Sequence, residues 1–190
     1  LGSQGIASKL QETAREIIKS GRLGQVGLIR ASYDRNSDSG AWLYPIPPDA
    51  DPKTVDWDVF LGSAPRRPFS LERFFRWRCW YDYGTGLSGD LLSHEYDAVN
   101  MILGLGIPKS AVSSGGIYYY KDGRDVPDTF HVVYEYPERD LSFVYSATLA
   151  SDQDRGLVFM GHDASMKVGG SLSVFADPEG HRYRDKIKKG

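Results

Sequence analysis

The sequence predicts an α+β protein: an open-faced, predominantly antiparallel β-sheet with helices packed on one face. Three observations carry that expectation. Helical periodicity is confined to 10–20 and 90–103, with one further helical turn around 55–61. Beyond Pro108 the apolar residues sit in short blocks of β-forming side chains divided by turn residues. Strands grouped after the helices, and not alternating with them, mean α+β rather than a parallel βαβ sheet. Finally, the turns between those blocks are short, which makes neighbouring strands antiparallel.

Each element has its own signal. In 10–20, LQETAREIIKS, residues Leu10, Ala14, Ile17 and Ile18 fall on one side, and Gly21 is a natural stop. The stretch 25–33, QVGLIRASY, alternates as a strand does. Residues 34–67 are irregular and carry Pro45, Pro47, Pro48, Pro52 and Pro65; a section this long is either a binding loop, lid or interface arm, or a rigid surface wrapper. Residues 69–83, FSLERFFRWRCWYDY, are dense in arginine and aromatics, and the helix 90–103 then ends at Gly104. A strand is expected at 111–120, with a turn at Lys121-Asp122-Gly123. Strands 129–136 and 141–149 form a hairpin through Pro137-Glu138-Arg139-Asp140, and 157–161, 165–168 and 171–175 follow with the turns HDA and GG. Tyr118, Tyr119 and Tyr120 stand in a row and so should point to both faces of the sheet. Phe130, Val132, Tyr134 and Tyr136 line one face of the next strand; His131, Val133 and Glu135 line the other. One face takes the helices, and the second, partly apolar, is a candidate subunit interface.

Composition narrows the class. A chain of 190 residues fits one domain or slightly more and buries roughly 70% of its unfolded surface without staples. It is 41% hydrophobic and 25% charged, as soluble globular proteins are. A net charge of −2 supplies no basic field for nucleic acid. No apolar run approaches the ~18 residues of a membrane span. Cys79 is the single cysteine, so no intrachain disulfide forms, in keeping with a reducing, cytoplasmic compartment. The chain starts at Leu1 and reads as a piece of a longer protein, and its basic end, HRYRDKIKKG at 181–190, is expected to fray.

Residues 84–89, GTGLSG, spell G-x-G-x-x-G with Gly84, Gly86 and Gly89. A dinucleotide fingerprint of that form needs a buried strand before it, a pyrophosphate on the following helix N-terminus and an acid about 20 residues on. Here the preceding segment carries Arg73, Arg76 and Arg78, a charge load unlike a buried parallel strand. The helix opens with Asp90 where a phosphate would sit, and Lys109 stands where the acid should. No cofactor-binding residue is therefore expected in this chain. The glycines are expected to turn the chain tightly and bring the helix start close to a neighbour.

At 100° per residue, Asp90, His94, Asp97 and Met101 share one stripe of the helix. Leu91, Leu92, Ala98, Val99, Ile102 and Leu103 make the opposite, core-facing side. Asp90 lies in the first turn, where the macrodipole favours its charge. An imidazole between two carboxylates suits proton transfer near neutral pH, although a solvated polar face has the same pattern. Asp and His one turn apart also chelate, but no further pair at ligand spacing supports a metal, and His131, His162 and His181 are scattered. Glu95 falls inside the apolar stripe; a buried glutamate needs a partner, and an arginine from 69–80 is the expected one.

The run RFFRWRCWYDYGTGLSGDLLSHEYDAVNMILG resembles the second domain of the Gfo/Idh/MocA oxidoreductases, in which a glycine-rich turn leads into a helix with the pattern D-x-x-x-H-x-x-D. GRLGQVGLIRA is similar to that family's first strand after the nucleotide domain, DWDVFLGSAPRRPF to its tryptophan-bearing arm and GHDASMKVGG to its late hairpin, so the likeness extends over roughly 2–177. The resemblance implies an enzyme that uses NAD or NADP, held by an N-terminal Rossmann domain, to move a hydride to or from a sugar, cyclitol or related hydroxyl carbon. It implies that Asp90 and His94 are catalytic: His94 as the base that takes a hydroxyl proton, Asp90 as the group that orients substrate or tunes His94. Arg76, Trp80, Tyr83 and Asp97 would bind the substrate; for the first three, core packing and a salt bridge to Glu95 are the competing reading. The family's catalytic lysine, in a Glu-Lys-Pro motif of the nucleotide domain, is not in this chain, so the chain alone is expected to bind no cofactor and to be inactive. The implied division is 1–20 as the tail and last helix of the nucleotide domain or a linker, 21–180 as the substrate domain and 181–190 as the tail. The expected partners are a small carbohydrate-like substrate and further copies of the chain, met through the open sheet face. Two alternatives share the scaffold: an NAD-dependent glycoside hydrolase, and a noncatalytic binding or assembly domain, which would have no need of the intact D-x-x-x-H.

Overall fold

The described chain begins with an amphipathic helix, α1 (Lys9–Lys19), whose first turn is capped by the Ser8 hydroxyl accepting from the Gln11 N–H. The computed structural model describes residues 8–38, 40–153 and 156–176. The expected tail at 181–190 and the first residues, 1–7, lie outside the described residues. Ala14 of α1 is fully buried in the same core as the sheet, and Arg15 donates to the Met101 carbonyl.

Among the described residues a seven-stranded sheet forms with the order β2-β3-β4-β1-β5-β6-β7. Its strands are β1 (Val26–Ser32), β2 (Ser110–Gly116), β3 (Thr129–Tyr136), β4 (Leu141–Thr148), β5 (Gly156–Gly161), β6 (Ser165–Val168) and β7 (Leu172–Phe175). Short connections make β3–β4, β5–β6 and β6–β7 antiparallel, as expected. β1 sits mid-sheet, antiparallel to β5 but parallel to β4. That pairing is available because the chain between β1 and β4 makes a long excursion through arm, helix and the β2–β3 pair.

Period-two alternation sets the layers. Ile29, Ala31, Phe143, Tyr145, Leu157 and Phe159 point to the helices and are buried. Burying Phe143 and Phe159 from full exposure contributes about 1.5–3 kcal/mol each. Phe130, Val132, Tyr134 and Tyr136 face the same core, whereas His131, Val133 and Glu135 face away, matching the faces read from the sequence. α1 and the helix α4 (Ser93–Leu103) pack against each other on the core-facing side.

Two elements depart from expectation. The strand expected at 111–120 ends at Gly116. Tyr118, Tyr119 and Tyr120 are not in the sheet, because their backbone N–H groups bond the Asp128 carboxylate at 3.0, 2.8 and 2.7 Å instead of a neighbouring strand. The helix expected at 90–103 starts earlier, with a π-helical turn over Ser88–Leu92 that runs into α4 and ends at Gly104, φ +62°. Turns of this i→i+5 type are rare and recur at functional sites.

The irregular section is an arm held by aromatics. It contains α2 (Trp57–Leu61), capped by the Asp56 carboxylate, and it leads to α3 (Leu71–Phe75). Trp57 stacks on Phe60 and meets Phe69 edge-on, and its Nε1 donates to the Arg67 carbonyl at 2.9 Å.

Candidate active site

Three glycines shape the approach to the helix, each through a contact and not through a ligand. Gly86 takes φ +57°, and a Cβ there would lie 3.0 Å from the Val126 Cβ. A Cβ on Gly84 would press on the Trp77 ring at 3.3 Å, and one on Gly89 would collide with the Thr85 hydroxyl. The turn therefore lies flat on Val126 and Trp77 and delivers Asp90 to the rim of a cleft of about 180 Å³. Trp77, Arg78, Thr85 and Asp90 line it with the three glycines.

Asp90 Oδ1 accepts from Arg78 Nε at 2.7 Å, and the Arg78 guanidinium lies 4.3 Å from the centre of the Trp77 ring. The pair is partly exposed, so its Coulomb attraction is screened, and its main effect is to aim both groups into the cleft. His94 follows in the first turn of α4 and is exposed. Asp97, a turn further on, is half-buried, and its Oδ2 accepts no hydrogen bond among the described residues. Met101 ends the stripe, half-buried, with its carbonyl taken by Arg15. Leu91, Leu92, Val99 and Ile102 are buried beneath, with Ala98 and Leu103 packed at the margin.

Of the expected site residues Asp90 alone lines this cleft; His94, Asp97, Arg76, Trp80 and Tyr83 do not. Arg76 donates to the Tyr44 carbonyl at 3.1 Å and to Glu72 at 3.2 Å, tying α3 to the arm. Trp80 packs at the core margin beneath the Arg73 guanidinium, 4.1 Å from its ring centre. The Tyr83 ring lies 4.9 Å from that of Phe60 and borders a separate hollow with Trp77. The buried Trp80 Nε1 and Tyr83 hydroxyl have no hydrogen-bond partner among the described residues.

The arginine expected to pair with Glu95 goes elsewhere: Arg78 takes Asp90, while Arg73 takes Asp82 at 3.0 Å. Glu95 makes no ion pair among the described residues, and burial pushes its carboxyl up, against a smaller pull downward from His94. Sequence reasoning does not single out Arg78 or Thr85. No periodicity at 76–79 carries such a signal, because Trp77–Cys79 is a 3₁₀ turn to which neither strand nor α-helix spacing applies. Among the described residues no three His, Cys, Asp or Glu side chains gather to hold a metal ion. No described helix is long and apolar enough to cross a membrane.

A family model described as the GFO/IDH/MocA C-terminal domain matches residues 11–167. The chain belongs to the GFO/IDH/MocA family. Solved structures agree on the fold of this C-terminal domain. The chain superposes on a WlbA dehydrogenase from Bordetella pertussis, in complex with NADH and UDP-GlcNAcA, with TM-score 0.57, 14% identity, 94% of this chain and 48% of that one covered. For the WlbA enzyme from Chromobacterium violaceum the values are 0.60, 13%, 98% and 46%. For a levoglucosan dehydrogenase in complex with NADH and levoglucosan they are 0.55, 18%, 89% and 40%. The chain thus spans less than half the length of each. No curated protein matches it.

In this GFO/IDH/MocA domain the glycine turn at 84–89 does not fit a dinucleotide. What precedes Gly84 is α3 and a 3₁₀ turn at Trp77–Cys79, not a strand. The direction a Cβ would take at each glycine is filled by Val126, Trp77 or Thr85, so these positions are glycine for contacts within the protein and not for the approach of a pyrophosphate. Asp90 adds a carboxylate at the same place.

Proposed function

We propose that this domain binds the substrate and handles its proton within a longer NAD(P)-dependent oxidoreductase acting on a carbohydrate-like hydroxyl. One observation carries the reading: Asp90 is aimed by Arg78 into the glycine-walled cleft, and the His94 imidazole is exposed on the next turn of the same helix. A substrate hydroxyl at that rim would give its proton to His94, while Asp90 orients the substrate or the imidazole. Asp97, half-buried a turn beyond His94, is the third polar group of the stripe and is assigned to substrate on that placement alone. The roles of Arg76, Trp80 and Tyr83 are indirect in this reading, through the arm and α3. Hydride acceptance belongs to NAD or NADP, and no residue of this chain is assigned to it. The sugar-like ligands of the WlbA and levoglucosan dehydrogenase complexes support the substrate class.

The open sheet face is assigned to self-association. Across it Val112, Val133, Val144, Arg30 and Val158 stand in one row through successive strand pairs, an apolar band interrupted by Arg30 and followed on β6 by Lys167. Replacing Val144 by Asp should convert the parent protein to smaller species in sedimentation; an unchanged mass would remove the assignment.

His94→Ala in the parent chain tests the site. Turnover should fall by about 10² to 10⁴-fold, as for loss of a general base, with nicotinamide binding retained. Turnover at the native rate would end the role of His94.

A further inference from the structure

The core-facing row of a packed strand is apolar, and in β3 it reads Phe130, Val132, Tyr134. On β2, the adjoining edge strand, the same row reads Gly115, Ser113, Ala111. Such small side chains leave the sheet edge unfilled on its helix side. Opposite them stand Tyr81 and the end of the glycine turn, and between lies a hollow of about 200 Å³ bordered by Tyr81, Thr85, Leu87, Ser88, Ser113 and Phe130. Gly115 has no larger alternative, because a Cβ there would collide with the Thr129 carbonyl oxygen.

This hollow adjoins the Asp90 cleft, since Thr85 lines both. Gly89 permits that arrangement by leaving room for the Thr85 hydroxyl. Each space is smaller than the ~300–1,000 Å³ of a site that holds a whole small molecule, so each suits one ring-sized unit. The chemistry of the lining is neutral: among the described residues no charged side chain borders the second hollow. Its hydroxyls at Thr85 and Ser113 can donate and accept, and that of Ser88, which donates to the Thr85 carbonyl at 2.7 Å, can accept. Tyr81 is 55% exposed and its backbone N–H is fixed by Asp125 at 2.7 Å, which holds up an aromatic face for the C–H side of a sugar ring.

We infer that this hollow is a second sugar subsite, and that the substrate is a neutral glycoside of at least two units. The reacting unit lies in the Asp90 cleft and the other over Tyr81 and β2. The inference rests on the dehydrogenase reading above and narrows its substrate.

The test measures kcat/KM of the parent chain for lactose, cellobiose and maltose against galactose and glucose. The measurement is repeated in Ser113→Trp, which fills the hollow and suits an edge strand, and in Tyr81→Ala, which removes the exposed ring. Circular-dichroism melting checks that both fold. A native preference for at least one disaccharide is expected, and both variants should reduce that preference about tenfold through KM, the scale of a lost pocket contact. Native preference for the monosaccharides, or equal losses on sugars of both lengths, overturns the subsite and leaves the dehydrogenase reading standing. Absence of turnover with every sugar overturns both.

Discussion

In the loop between β2 and β3 the fully buried Asp128 carboxylate accepts three backbone N–H groups and the Thr129 hydroxyl, while in the helix after the glycine turn Asp97 buries an oxygen that meets no donor among the described residues. The contrast extends to their neighbours. Arg124, buried in the same loop, donates to both Asp122 oxygens and to the Ala41 carbonyl at 3.0 Å, and it lies 4.4 Å from the centre of the Tyr120 ring; one guanidinium nitrogen is left over. On the helix, Asp90 has one arginine, His94 faces out and Glu95 pairs with no described cation. Buried polar groups are ordinarily satisfied, and unsatisfied ones call for an explanation. The difference teaches how to divide polar residues by what they do. Those of the loop spend their bonding capacity on the fold, and those of the stripe leave part of theirs unused among the described residues.

The largest effect is expected from Asp128→Ala. Burial pushes the Asp128 carboxyl up, but the N–H groups of Tyr118, Tyr120 and Tyr119, with Thr129, hold it below the ordinary value. Its folded pKa is thus depressed, so its stabilisation is present above the unfolded value of about 3.9 and is lost as pH falls through the folded value. Removing the carboxylate strands three donors and should cost about 3 kcal/mol at neutral pH by denaturant titration, with the variant less acid-sensitive than the native chain. A loss under about 1 kcal/mol would put Asp128 on the same footing as the stripe and dissolve the comparison.

Next in size is Gly86→Ala, which asks whether the glycine turn is structural scaffolding of the loop kind. The left-handed conformation costs about 1–2 kcal/mol for a residue with a Cβ, and the contact with Val126 adds to it. Gly104 is the control, since its φ is +62° and a Cβ placed there would have no atom within 4 Å. Gly86→Ala should therefore lower the midpoint more than Gly104→Ala in the same thermal scan. Equal shifts would mean that the turn does not press on Val126.

Period-two alternation made the sheet, its two faces and most strand ends legible, because burial on one face imposes that pattern directly on β3 and β4. The core-facing side of the helix, with Leu91, Leu92, Val99 and Ile102, was legible for the analogous helical reason. The parallel β1–β4 pair was not, because it is fixed by the path of residues far apart in sequence. Nor was the fate of the three tyrosines: alternation there was overridden by Asp128, eight to ten residues away, offering a better acceptor than a strand. Arg78 escaped notice as the partner of Asp90 because a 3₁₀ turn at Trp77–Cys79, not a strand or helix, decides which way it points. The π turn at Ser88–Leu92 likewise has no counterpart in helical spacing.

The smallest effect sharpens the comparison most, since it concerns a carboxylate beside the stripe that has neither saturated bonding nor an assigned ligand role. Glu95 sits half-buried in the first turn of α4, and burial raises its carboxyl above the ordinary value. Below the unfolded pKa of about 4.3 both states are protonated and the residue is harmless. As pH rises past that value the unfolded chain ionises first, so stability falls until the folded pKa is passed, and the deficit then stays constant. Glu95→Gln removes the charge while keeping the shape, and should stabilise the domain by about 1 kcal/mol at neutral pH, with the two proteins converging near pH 4. A destabilised variant would mean that Glu95 is paired as the loop carboxylates are; a more stable one places it with Asp97, among groups whose burial folding alone does not reward.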